Sequence, residues 1–93
     1  MLDRPDRRPS SMEVWLSFGA VRRTVALLDV SETGVKTTVP EGLKPGMAVA
    51  LVTPRLMREA EVRWIHGRQA GLVLDAALNQ EEQRELAGLA FGI

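Results

Sequence analysis

Two groups of residues in this 93-residue chain have types and spacings that could do chemistry. The first is Asp29-Val30-Ser31-Glu32-Thr33-Gly34, written DVSETG, with D-x-S-x-x-G spacing. On an extended chain Asp29 and Ser31 point to one face and Val30 to the other. A carboxylate and a hydroxyl therefore stand side by side where a strand runs into a turn. Gly34 is expected to supply the positive φ that a tight turn can require. The second group is Arg4, Arg7 and Arg8, with Arg4 and Arg8 at R-x-x-x-R spacing. Guanidinium groups bond phosphate oxygens bidentately and match the O6 and N7 acceptors of guanine. A carboxylate suits the opposite edge of guanine, where N1–H and N2–H₂ are donors. Taken separately, the two groups are also what an ordinary turn and a solvated, charged tail look like.

Enzymatic constellations are missing. The one histidine, His66, lies beside Gly67 in an expected turn, and no second histidine or any cysteine completes a metal-ligand spacing. No histidine base is close to Ser31, and the G-x-S-x-G elbow is absent. Glu59 and Glu61 read as the solvated face of an alternating strand. No phosphate-binding glycine loop or dinucleotide fingerprint occurs. The expectation is a protein that is not an enzyme, with no metal and no resident cofactor.

The secondary structure that holds these groups is read from the hydrophobic pattern. Residues 1–12 carry Pro5, Pro9, Ser10, Ser11 and five charges, and are read as a mobile arm. Residues 13–93 are read as one domain, since a chain of this length has room for a single core. Met12–Phe18 alternates with period two, Arg22–Asp29 is a second strand and Gly34–Val39 a third. Pro40–Gly46 is a loop. Met47–Thr53 is a short buried strand. Arg58–Ile65 and Gln69–Leu74 form a hairpin about His66-Gly67-Arg68. Along Arg58–Ile65, Ala60, Val62 and Trp64 are expected on the core face, with Glu59, Glu61, Arg63 and Ile65 opposite. Trp15 falls opposite Val14 and Leu16 and is the better candidate for a surface contact. A helix of about residues 79–91 starts with Asn79 as cap and Glu82 three residues on. Its apolar stripe is Leu86, Leu89 and Ala90, extended by Phe91, and is expected to pack within the chain. Six short strands and one terminal helix indicate a mainly β fold, a six-stranded antiparallel barrel with a C-terminal helix.

Composition narrows the function classes. The chain is 45% hydrophobic and 26% charged with zero formal net charge, as expected of a soluble globular domain. Neutrality and few aromatics argue against a nucleic-acid-binding barrel. The polar N-terminus does not resemble a signal peptide, and no apolar run is long enough to span a bilayer. A cytoplasmic domain without membrane insertion is expected, and the lack of cysteine fits a reducing compartment. The basic residues are ten Arg and two Lys; a GC-rich coding sequence is the simpler account of that bias.

R-x-x-x-R on an N-terminal arm and then D-x-S-x-x-G at the end of the second strand resembles the PilZ domain family. VRWIHGRQAGLVL is similar to the family's late hairpin, and KPGMAVAL to its middle strand entry. The resemblance spans nearly the whole chain. It implies a six-stranded barrel with a C-terminal helix that binds the bacterial second messenger cyclic di-GMP. It implies that Arg4 and Arg8 grip phosphates and guanine while Asp29, Ser31 and Gly34 line the other side; Arg7 is added on physical grounds. Pro5 and Pro9 restrict the arm, and Asp3 and Asp6 dilute its positive charge. The resulting expectation is a monomeric receptor that orders its arm over the nucleotide and so changes a surface seen by an effector protein. The alternative is an adaptor of the same fold that binds a protein and no nucleotide.

Overall fold

The computed structural model of the chain describes residues 14–91. The arm with Arg4, Arg7 and Arg8, Met12 of the expected first strand, and the side chains of Leu89, Ala90 and Phe91 lie outside the described residues. The strands are β1 (Val14–Phe18), β2 (Val21–Val25), β3 (Leu27–Val30), β4 (Gly34–Thr38), β5 (Ala48–Val52), β6 (Met57–His66) and β7 (Gln69–Leu74), with helix α1 (Gln80–Phe91) after them. All seven strands belong to one antiparallel sheet in the order β2-β1-β5-β6-β7-β4-β3. The mainly β class with a C-terminal helix is as expected. The sheet is curled into a half-barrel, and its edge strands β2 and β3 share no ladder.

The strand count is seven rather than six because the expected Arg22–Asp29 strand is two. It breaks at Ala26, whose amide donates to Thr38 Oγ1 at 3.0 Å and whose carbonyl accepts from the Thr38 amide at 3.0 Å. At that residue the backbone leaves the ladder with β1 and joins the one with β4. The two halves of a single run thus form opposite edges of the sheet. Val25 and Leu27 are both buried, so the hydrophobic alternation passes through the break without a mark.

The inner face carries the core. Leu16, Leu51, Val62, Leu72 and Leu86 are fully or almost fully buried. Alternation accounts for β1, where Val14, Leu16 and Phe18 face inward and Trp15 and Ser17 outward. Two bulges interrupt the pattern elsewhere. In the β3–β4 ladder Leu27 pairs with Thr37 but Asp29 pairs with Lys36, so Leu28 is an extra residue on β3. In the β6–β7 ladder Val62 pairs with Leu72 but Trp64 pairs with Gly71, so Arg63 is an extra residue on β6. A bulge leaves one residue unpaired and reverses the facing of the strand beyond it.

Helix α1 packs against β3. Its start is the expected capping box: Asn79 Oδ1 accepts from the Glu82 amide at 2.7 Å, and Glu82 Oε1 accepts from the Asn79 amide at 3.1 Å. Glu82 Oε2 also pairs with Arg58 of β6, tying the first turn to the sheet. Buried Leu78 and Leu86 anchor the helix on the core. Among the described residues, no helix is long and apolar enough to cross a membrane.

Candidate functional site

The turn Ser31–Thr33 joins β3 to β4, and its geometry is dictated by DVSETG. The Ser31 amide donates to the Gly34 carbonyl at 2.8 Å. The Ser31 hydroxyl donates to the same carbonyl at 3.1 Å and accepts from the Gly34 amide at 3.1 Å. Ser31 is therefore engaged in closing the turn. The carbonyls of the two residues between are held from outside: Thr33 accepts from the Leu74 amide at 2.9 Å and Glu32 from the Leu78 amide at 2.8 Å. The segment leading from β7 to α1 thus fixes the turn.

Gly34 has a different role from the one expected of a turn glycine. The glycines with positive φ are Gly19, Gly42, Gly46 and Gly67; Gly34 is not among them. A Cβ at Gly34 would lie 2.8 Å from the Leu72 carbonyl oxygen. The glycine is required by close approach of two backbones, β4 and β7, not by turn handedness.

Asp29 is exposed at the end of β3, after the Leu28 bulge. Val30, between Asp29 and Ser31, packs against the core, so the expected division of faces holds. Asp29 Oδ1 accepts from the Val30 amide at 2.9 Å; its second oxygen has no hydrogen bond among the described residues.

The outer face beside Asp29 is a single row of cross-strand neighbours. Asp29 pairs with Lys36, Lys36 with Gly71 and Gly71 with Trp64, across β3, β4, β7 and β6. Directly opposed residues share a face, with Cβ atoms about 4.5–5.5 Å apart. Asp29, Ser31, Gly34, Lys36, Arg63 and Trp64 line one open depression there, together with Gly71 and Leu72.

Trp64 corrects the sequence reading, which puts it on the core face with Ala60 and Val62. The extra residue Arg63 reverses the facing, so Ile65 packs on the core and the indole lies outside. The indole rests on Gly71, where any Cβ would overlap its ring. Gly71 is buried beneath it, and Trp64 itself is half-buried and lines the depression. The exposed ring of His66 lies 5.7 Å from Trp64, centroid to centroid. Alternation could not locate this platform, but one signal could. A glycine inside a strand pattern marks a close approach, and Gly71 is such a residue, on the partner strand of a tryptophan.

The site residues read from sequence are thus partly gathered. Asp29, Ser31 and Gly34 come together, with Gly34 and Ser31 shaping the turn and Asp29 facing solvent. Arg4, Arg7 and Arg8 lie outside the described residues. Lys36, Arg63 and Trp64 are additions. Among the described residues, no group of three or more His, Cys, Asp or Glu side chains gathers as a metal site.

The outer face of the curled antiparallel sheet thus gathers a hydrogen-bonded turn, a carboxylate, two cations and an indole over a glycine. The PilZ domain family model matches residues 4–92, and the chain belongs to that family. No curated protein and no solved structure matches the chain significantly.

Proposed function

We propose that this PilZ domain is a receptor for cyclic di-GMP and acts without catalysis. The observation that carries the reading is the outward row Asp29–Lys36–Gly71–Trp64 beside the D-x-S-x-x-G turn, in a member of this family. The Asp29 carboxylate accepts from guanine N1–H and N2–H₂. The indole of Trp64 offers a flat face to a base, and base–aromatic stacking is worth about 1–3 kcal/mol. Arg4, Arg7 and Arg8 supply the remaining half, bonding phosphate oxygens and the O6/N7 edge of a guanine. Ordering a backbone residue costs roughly 1–2 kcal/mol, so closing the arm requires several charge-assisted bonds. A ligand with two phosphates and two guanines can make them. The closed arm then presents a changed surface to an effector protein in the cytoplasm.

A second reading, a protein-interaction adaptor, is favoured by one observation. On the opposite end of the outer face, Trp15, Val52 and Met57 form a row across β1, β5 and β6. The Arg22 guanidinium stacks 5.3 Å from the Trp15 ring centroid, and Met57 is 62% exposed.

Calorimetric titration with cyclic di-GMP separates the two. The receptor reading requires saturable heat at micromolar ligand, with Asp29→Ala and Arg8→Ala each weakening binding by about one to two orders of magnitude, the worth of a charge-assisted bond. Absence of heat and of amide shift changes around residues 29–36 would sink it.

A further inference from the structure

We infer that Lys36 is a base-selecting residue that, together with Asp29, reads the Watson–Crick edge of one guanine and rejects adenine. The inference rests on the receptor reading above and goes further by assigning the source of selectivity. Lys36 stands directly opposite Asp29 in the β3–β4 ladder, and both are exposed on the outer face. Opposite charges so placed ordinarily pair. Here they do not. The salt bridge among the described residues is Arg58–Glu82, and the Asp29 carboxylate bonds the Val30 amide instead. Two strands about 4.8 Å apart therefore present an ammonium donor and a carboxylate acceptor on one face, each with unused capacity among the described residues.

That pairing of a donor with an acceptor suits one edge of one base. Guanine presents an acceptor, O6, and beside it two donors, N1–H and N2–H₂. The ammonium of Lys36 has donors only, and an ionised carboxylate has acceptors only. With the carboxylate on N1–H and N2–H₂, the neighbouring strand brings Lys36 to O6. Adenine reverses the pattern: its N6–H₂ donor would face the ammonium and its N1 acceptor the carboxylate, so both contacts become repulsive. The next residue in the row reinforces the orientation. Gly71, next in the row after Lys36, carries the indole of Trp64, so a base lying on that ring has its edge toward Lys36 and Asp29.

The test is a titration of the full chain with cyclic di-GMP and cyclic di-AMP, for wild type, Lys36→Met and Lys36→Arg. Both substitutions are at an exposed position, and unchanged circular dichroism confirms the fold. The expected result for Lys36→Met is a loss of roughly tenfold in affinity for cyclic di-GMP with none for cyclic di-AMP, the lower end for a hydrogen bond to a charged group. Lys36→Arg keeps the selectivity, since a guanidinium also donates to O6. An unchanged ratio of the two affinities overturns the inference. Equal losses for both ligands with a weaker salt dependence would place the ammonium on a phosphate, which also overturns it. A wild-type chain that binds neither ligand refutes the receptor reading itself.

Discussion

Gly71→Ala is the sharpest perturbation of the site, because the indole of Trp64 occupies the space a methyl group would need. The methyl projects from a backbone locked between β4 and β6, through pairs with Lys36 and Trp64. The backbone cannot yield without opening two ladders, so the indole must swing away. One indole face is roughly 100 Å², half of what an aromatic side chain can bury. At about 25 cal/mol per Å² its exposure costs roughly 2.5 kcal/mol. Replacing glycine reduces the freedom of the unfolded chain and returns about 0.4–1 kcal/mol. The net destabilisation is about 1.5–2 kcal/mol, a fall in Tm of roughly 6–16 °C for a domain this small. Ligand affinity should fall about 5- to 150-fold through loss of base stacking. The assay is emission and thermal melting in a Trp15→Phe background, where fluorescence reports Trp64 alone, and then calorimetry with cyclic di-GMP. Trp64 emission should shift to the red. Unchanged emission and Tm would refute the packing of the indole on Gly71. A red shift with unchanged affinity would refute its role as a platform.

Gly34→Ala drives a methyl against the Leu72 carbonyl oxygen, a backbone atom that cannot rotate away. We expect a loss of about 1–3 kcal/mol, read as a lower midpoint in thermal or urea unfolding; an unchanged midpoint would show that β4 and β7 do not approach so closely. The Glu82 carboxyl is held below its ordinary value of 4.5, first by the Asn79 amide and then by Arg58. Because its folded pKa is the lower one, its contribution is present above the unfolded value and is lost as pH falls through the folded one. Glu82→Gln should therefore melt below wild type at pH 7, and the gap should close as the pH is taken below the carboxylate range. A gap that stays constant with pH would mean that the charge of Glu82 is not involved.

Much of the fold is legible in the sequence because it rests on local pattern. Alternation places Val14, Leu16 and Phe18 inside. Asn79 and Glu82 announce the helix start by chemistry that needs no tertiary partner. Each point that escapes is one where long-range pairing overrides the count. Ala26 breaks a strand without breaking its alternation, because its two neighbours keep their facing while changing ladders. Leu28 and Arg63 are extra residues relative to a partner strand, and a bulge is a property of the pair that neither strand declares by itself. The bulge at Arg63 matters for the site, since alternation without it puts Trp64 in the core. Asp29, Ser31 and Gly34 are found together because turn residues are read locally. Their separate tasks are not, since the close approach of Leu72 to Gly34 involves residues far apart in sequence.

The ladder between β4 and β7 has a consequence for how and when the site comes into being. The hairpins β3–β4 and β6–β7 are local and can close within about 1–10 μs. The ladder that joins them pairs Lys36 with Gly71, about 35 residues apart in the chain, and such non-local contacts dominate the slow part of β-sheet assembly. One hairpin contributes the carboxylate and the ammonium, the other the glycine and the indole. A nascent or partly denatured chain can thus hold both halves in native form and still lack the assembled row of residues. On the receptor reading proposed above, ligand binding is then a test of completed assembly, and a misfolded copy binds nothing.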